Sequence, residues 1–355
     1  MNANVLDQAG NIREGEELDA KVVTDFIRAA VPDLQGTASI KQFPGGASNL
    51  TYAVSFANKE YILRRPPFGK KAKSAHDMGR EFRVMQKLKP VYPYVPNMVA
   101  FCQDESVLGC DFYVMERLVG IIPRADMPKG LEMTPEQNRA LCLNVLDRFI
   151  ELHSVDYQAA GLADLGKGEG YVVRQIEGWT KRYHDAKTPD VPDFEKIMAW
   201  LHAHMPPQVK VCIIHNDYRM DNVVLDAKDP TQVIGVLDWE MATLGDPLMD
   251  LGNTLAYWVE ANDPPAAQLL RRQPSHLPGM LNRNEVIDYY CGKMGLSTDN
   301  FVFYRAYGIF RLAVILQQIY YRFYHGQTKN PAFGAFGQMV KILESQCNEL
   351  LAGEI

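Results

Sequence analysis

In the stretch HNDYRMDN, residues 215–222, a histidine, two aspartates and two asparagines stand between the apolar runs VCII and VVLD. Ordinary turn residues would be enough to join two strands, so this polar set asks for a chemical reason. The spacing D-x-x-x-x-N, from Asp217 to Asn222, puts a carboxylate and an amide at opposite ends of a tight loop. A carboxylate can accept or orient a hydroxyl proton, and an amide oxygen can hold Mg²⁺. Phosphoryl transfer from a nucleotide to a hydroxyl needs both. A second anionic ligand for the metal is on offer in VIGVLDWE, where Asp238 ends an apolar run. The spacing alone occurs in many unrelated chains, and its weight comes from the residues around it.

Two of those neighbours suit phosphates. PGGASN, residues 44–49, lies between two strand-like runs and offers Gly46, Ser48 and Asn49. Glycines there let backbone N–H groups approach a phosphate closely, although a plain hairpin turn accounts for the motif more simply. The next strand-like run, EYILRR, supplies Arg64 or Arg65 as a cation for the α- and β-phosphates. The helical pattern SAHDMGREFRVMQKL supplies Glu81 as its ion-pair partner. Alternation along a strand sends the two arginines to opposite faces, so either could meet the cleft or be a solvated strand-end charge; Arg64 is the choice here.

These residues need elements to hold them. After a polar leader of about fifteen residues, LDAKVVTDFIRAAVP has helical spacing and stops at Pro32. SIKQF, LTYAVSF and EYILRR are short runs rich in β-branched and aromatic residues, separated by turn chemistry, and predict an antiparallel meander. A helix over 74–88 follows, then strands MVAFCQD and DFYVMERL around a turn at ESVLGC. Beyond Leu118 the pattern is mainly helical: TPEQNRALCLNVLDRFIELHSV, 171–187, 193–204, a run after Pro247, then 284–295, 299–325 and 332–352. Only VCII, NVVLD and QVIGVLD interrupt it as strands. The expectation is an α+β chain with a β-rich part, 1–118, and a helical part, 119–355, the ligand cleft lying between them.

Bulk properties narrow the function. The chain has 355 residues, 47% hydrophobic and 23% charged, as expected of a folded globular protein. A net charge of -6 gives no general basis for binding nucleic acid. The first twenty residues lack an apolar segment behind a basic start, and YGIFRLAVILQQIYY is broken by Arg311 and two glutamines, so neither a signal peptide nor a membrane span is expected. Six cysteines without a CxxC pair read as reduced thiols of a cytoplasmic protein, and His202 and His204 lack partners at metal-ligand spacing. Oligomeric state is open.

Taken together, PGGASN, ILRR, REF, FYVMERL, HNDYRMDN, VLDWE and LGDPLMDLG resemble the aminoglycoside phosphotransferase and choline kinase family over residues 36–325. The resemblance implies a bilobed protein-kinase-like fold with ATP in the cleft. It also implies that Asp217 is the catalytic base, that Asn222 and Asp238 are the Mg²⁺ ligands, and that Ser48 and Asn49 belong to the phosphate loop. Glu116 to Leu118 would be the hinge that meets adenine, and His215 and Asp246 would support the loop. Many members carry lysine where this chain has arginine; a planar, permanent cation keeps phosphate binding but alters its geometry. Asp238 is followed by Trp-Glu rather than Phe-Gly, so switching by a flipping phenylalanine is not expected.

Between Asp238 and the helix that follows there are too few residues for a peptide platform, which favours a small hydroxylated substrate. GYVVRQIEGWTKRYHDAK and FRLAVILQQIYYRFYHGQTK mix aromatics with Arg174, Lys181, Arg182, Arg311 and Arg322. That suits an anionic, partly apolar acceptor and equally suits ordinary amphipathic helices. ILRRPPFG, LDWEMATLGDPLMDLG and YYRFYHGQT also resemble the kinase-like domains fused to acyl-CoA dehydrogenases, which implies a hydroxyacyl-CoA acceptor. The basic loop RRPPFGKKAK fits CoA or ATP phosphates, or plain solvation. The alternatives are an aminoglycoside, amino alcohol or sugar kinase, a silent nucleotide-binding regulatory module, and a scaffold that binds no nucleotide.

Overall fold

In the computed structural model, which describes residues 5–44, 49–68, 77–328 and 330–353, the leader is followed by helix α1 (Ala20–Ala30), capped by the Asp19 carboxylate on the Lys21 and Val22 amides. Strands β1 (Ser39–Gln42), β2 (Leu50–Ser55) and β3 (Glu60–Arg65), helix α2 (Met78–Leu88), strand β4 (Met98–Cys102), helix α3 (Glu105–Leu108) and strand β5 (Phe112–Glu116) complete the first lobe. ESVLGC was expected as a turn. It instead winds the single turn of α3, because Asp104 caps its start and Gly109, at φ 73°, ends it. Gly46, Ser48 and the expected start of α2 at Ser74 lie outside the described residues.

The five strands form one antiparallel sheet in the order β1-β2-β3-β5-β4, with Arg64 registered against Thr51 and Tyr113. Its pleat sorts the side chains of β3. Tyr61 and Leu63 pack with Val23 and Ile27 of α1, whereas Ile62 joins Val84 and Met85 of α2 and the main core. Arg64 shares the parity of Ile62 and so emerges toward α2 and the cleft.

The second lobe contains α4 (Pro135–Ser154), α5 (Tyr171–Ala186), α6 (Glu195–Ala203), β6 (Cys212–Ile214), β7 (Val223–Leu225), β8 (Val233–Val236), β9 (Thr243–Gly245), α7 (Pro247–Ala256), α8 (Pro265–Gln268), α9 (Arg283–Met294), α10 (Phe301–Tyr324) and α11 (Phe336–Ala352). Thr134 and Gln137 form a reciprocal capping box on α4. Strand β9 was not expected; it pairs with β6 while β7 pairs with β8. The β6–β7 and β8–β9 connections therefore lie side by side, joined by Leu237 N–H donating to the Asn222 carbonyl at 2.8 Å. All six cysteines are buried free thiols, as the sequence suggests. Among the described residues, no helix is long and apolar enough to cross a membrane.

Helices α7 and α10 cross at backbone contact. A Cβ on Gly308 would lie 2.0 Å from the Gly252 carbonyl, and one on Gly252 would lie 2.3 Å from that of Tyr304. Gly308→Ala must push the helices apart and is expected to destabilise the chain by about 1–3 kcal/mol. Gly292→Ala, in α9 with nothing within 4 Å of the added methyl, is expected to stabilise it by about 0.5–1 kcal/mol. Urea midpoints of the two variants check the pair.

Candidate active site

The β6–β7 loop is held from below. His215 and Asn216 donate their backbone N–H groups to the two carboxylate oxygens of Asp250 on α7, at 2.7 and 2.8 Å. His215 Nε2 lies 3.0 Å from the Leu237 carbonyl, and its Nδ1 accepts the Asp217 N–H at 3.3 Å. This pattern suits the neutral ring, and burial pushes the His215 pKa down in the same direction. Asn216 takes a left-handed backbone, φ 64°, which asparagine tolerates better than most residues. Its carbonyl accepts from Arg311 of α10 at 2.9 Å, and its side-chain oxygen accepts from Tyr171 of α5 at 3.0 Å.

On this base Asp217 presents its carboxylate. One oxygen accepts from Arg219 at 2.7 Å and the other from the Asn222 amide nitrogen at 3.0 Å. Burial pushes the Asp217 pKa up, and the Arg219 guanidinium pulls against it. Arg219 also pairs with Asp221 at 2.8 Å and lies over the Tyr257 ring. Because the Asn222 nitrogen turns inward to Asp217, its amide oxygen is the atom directed away from that bond.

Asp238 follows β8 in a left-handed conformation, φ 65°. One of its oxygens meets Arg64 at 3.2 Å, and its side chain is 34% exposed. Arg64 also binds Glu81 of α2 at 2.6 Å, in a pair whose side chains are only 11% and 1% exposed. Burial opposes the Arg64 charge, but Glu81, Tyr113 and Asp238 outweigh it and keep Arg64 a cation. Arg65 turns to the other face, donates to the Leu108 carbonyl at 3.2 Å and stacks on Phe68. The structure thus brings Asp217, Asn222, Asp238, Arg64 and Glu81 to one end of the cleft. Asn222 and Asp238 provide hard oxygen donors, the set that suits Mg²⁺ when phosphate oxygens complete its shell.

Asn49, expected at the phosphate loop, is buried and donates from its side chain to Glu240 at 2.8 Å, tying β2 to the segment after Asp238. Arg80 reinforces that seam through the Glu240 and Leu165 carbonyls at 3.3 and 3.1 Å. At the expected hinge, Glu116 and Leu118 border a cavity of about 90 Å³ that is also lined by Ile62, Met115 and Leu237. The Glu116 carboxylate itself points to Asn97, 2.7 Å away.

Asp246, assigned to the loop by resemblance, does a different job. It caps α7 through the Leu248 and Met249 amides and accepts from Val209 N–H at 2.8 Å, ahead of β6. The residue that binds the loop is Asp250. Sequence inspection passed over it, although a lone acid in the apolar run PLMDLGN is the kind of signal that could have found it. Arg311 needs a similar correction: it is buried beneath Asn216 rather than available to substrate. Lys181 pairs with Asp185 on the surface, and Arg322 borders a separate cavity. Arg174 and Arg182, joined by Lys167, Tyr171 and Trp179, line a cavity of about 410 Å³ that reaches Asn216.

Residues 39–283 match the description "Phosphotransferase enzyme family". The chain is 36% identical over 308 residues to acyl-CoA dehydrogenase family member 10 of Mus musculus, covering 86% of this chain and 28% of that protein. With acyl-CoA dehydrogenase family member 11 of Homo sapiens it is 34% identical over 313 residues, covering 87% and 39%. It therefore spans well under half the length of these curated relatives. A crystal structure from Ralstonia eutropha JMP134, described as a candidate aminoglycoside phosphotransferase, superposes with a TM-score of 0.81 at 30% identity, covering 95% of this chain and 99% of the other. Choline kinase from Cryptosporidium parvum, at 13% identity and a TM-score of 0.61 over 95% and 97% of the two chains, shares the fold. With its bilobed, kinase-like architecture, the chain belongs to the phosphotransferase enzyme family.

Proposed function

We propose that the protein is an ATP- and Mg²⁺-dependent kinase that phosphorylates a hydroxyl group of a small molecule, with a hydroxyacyl-CoA as the first candidate acceptor. The observation that carries this is the convergence of Asp217, Asn222 and Asp238 opposite the Arg64–Glu81 pair. In this reading residues 1–118 hold the nucleotide, with its base at Glu116 to Leu118 and its phosphates near Gly46, Ser48, Asn49 and Arg64. Residues 119–355 supply the loop and the acceptor site.

Asp217 aligns the acceptor hydroxyl and takes its proton as the oxygen bonds to the terminal phosphorus and the bond to the leaving diphosphate breaks. Arg219 and Asn222 hold the carboxylate in place, so little reorganisation is needed. Arg64 places a fixed positive charge toward the phosphates. Mg²⁺, held by the Asn222 amide oxygen and Asp238, would neutralise phosphate charge when bound.

The acceptor class is supported by the cavity beside Asn216. Lys167, Arg174 and Arg182 give it positive charge, while Tyr171 and Trp179 give it flat apolar surface. Three cations suit an anionic acceptor better than a polycationic one. Relatives named for acyl-CoA dehydrogenases point to the same chemistry. The test is Mg²⁺-dependent ADP formation over a panel of 3- and 4-hydroxyacyl-CoAs, amino alcohols, sugars and aminoglycosides, with product masses checked for added phosphate. Phosphate gained by the hydroxyacyl-CoAs alone is the expected result. Turnover confined to another class replaces the acceptor and keeps the kinase, and ADP formation that ignores Mg²⁺ overturns the metal assignment.

A further inference from the structure

The leader, read from the sequence only as a polar stretch of about fifteen residues, is built into the hinge. Val5 is buried in the main core. Asp7 N–H donates to the Gly120 carbonyl at 3.3 Å, just past the hinge, and the Asp7 carbonyl accepts from Arg117. The Asp7 carboxylate pairs with Arg124 at 3.1 Å. Three residues on, the chain has crossed to the sheet, where Gly10 and Gln42 exchange two backbone hydrogen bonds at 2.8 and 3.1 Å. Arg13 N–H then donates to the Gln42 side chain at 2.8 Å, and Tyr52 donates its hydroxyl to the Glu16 carbonyl at 2.8 Å.

This segment meets the hinge cavity at Asp7 and passes on to the sheet at Gly10. Asp7 lines the cavity together with Phe43, Met115 and Leu118, and Arg117, which also lines it, pairs with Glu60 at 2.7 Å and lies over the Phe43 ring. We propose that residues 5–16 form a strap that walls the base end of the nucleotide cavity and sets nucleotide affinity, with Asp7 as the residue that places the wall. The proposal rests on the reading that this cavity takes the nucleotide base. A flat heteroaromatic ring gains most of its affinity from apolar contact on both faces and from exclusion of water at its edges. A wall anchored on Gly120 at one end and on Gln42 at the other is already ordered, so enclosing a base requires little further loss of freedom. The strap also leads from the hinge to β1, a link between the lobes in addition to the Glu116 to Leu118 chain and the Asn49–Glu240 seam.

The experiment compares the full chain with a chain lacking residues 2–10, titrating ADP and adenosine by calorimetry. The strap borders the base end, so both ligands are expected to lose the same factor in affinity. That factor is about tenfold, equivalent to about 1.4 kcal/mol. Truncation that leaves ADP binding within about twofold of the full chain, or weakens ADP without weakening adenosine, overturns the proposal. A truncated chain that does not fold leaves the full chain to decide. Exchange of the Asp7 amide must then slow when ADP binds, and unchanged exchange overturns the strap. A full chain that binds neither ADP nor adenosine removes the nucleotide reading and the strap with it, whereas binding that ignores the truncation removes the strap alone.

Discussion

Asp217→Asn is expected to lower turnover at least about a hundredfold, the scale of lost general-base catalysis, while nucleotide binding stays largely intact. The side chain keeps its size, so its place above His215 survives. What changes is the set of hydrogen bonds. In the wild type one oxygen faces Arg219 and the other faces the Asn222 amide nitrogen. An asparagine can keep oxygen toward only one of these donors, and Arg219, carrying the charge, is the stronger claimant. The new NH₂ then faces the Asn222 nitrogen, and the conflict is relieved only if Asn222 rotates and turns its oxygen inward. Turnover should therefore fall, and the Mg²⁺ concentration needed for half-maximal rate should rise. Steady-state rates over a Mg²⁺ series, alongside ADP titration of the same variant, measure the two effects. Near-normal turnover would remove Asp217 from the role of base.

The second large effect is on stability. Asp250→Ala is expected to destabilise the chain by roughly 3–5 kcal/mol, read from the urea midpoint and slope. Asp250 is fully buried and accepts from His215 N–H, from Asn216 N–H and from His153 Nε2, the last at 3.2 Å. Alanine strands all three donors without water, and each orphaned donor costs on the order of 1–3 kcal/mol. Asp250→Asn keeps one acceptor oxygen but turns an NH₂ toward a backbone N–H, so a smaller loss is expected. If Asp250→Ala unfolds at the wild-type midpoint, the loop is held by something else.

These two aspartates also mark the limit of what could be read from the sequence. Asp217 was legible because HNDYRMDN packs its polar residues into one short stretch between apolar strands, and Asp238 because it ends another. The sheet was legible from its turns and alternation, and the same alternation narrowed the candidate phosphate cation to two arginines without choosing between them. The pleat of β3 chose Arg64 for the cleft face. Asp250, Arg311 and the Asn49–Glu240 seam stayed hidden because each acts across 34, 95 or 191 residues of chain. Local pattern carries no information over such spans. Asp250 and Arg311 sit in helices that look like ordinary core helices, and only their burial shows that each must have a partner. The leader's attachment stayed hidden for a related reason: its hold is mostly hydrogen bonding of its own backbone, which leaves little trace in side-chain composition.

The glycine crossing of α7 and α10 has a consequence for how this chain can change its chemistry. Asp250 hangs from one of these helices and grips His215 and Asn216, and Arg311 hangs from the other and grips Asn216. Neither helix can be shifted to make room for a different acceptor without moving the loop. Arg174, Gln175 and Arg182, which line the proposed acceptor cavity from α5, have no bond to that loop; among the α5 side chains lining the cavity, Tyr171 donates to it. Under the proposed function, catalysis and selectivity are thus mounted on separate parts. One pair of helices is locked by contact between backbones, while Arg174, Gln175 and Arg182 are not tied to the loop, so under the proposed function substrate choice can change at these three positions of α5 while the reaction stays the same.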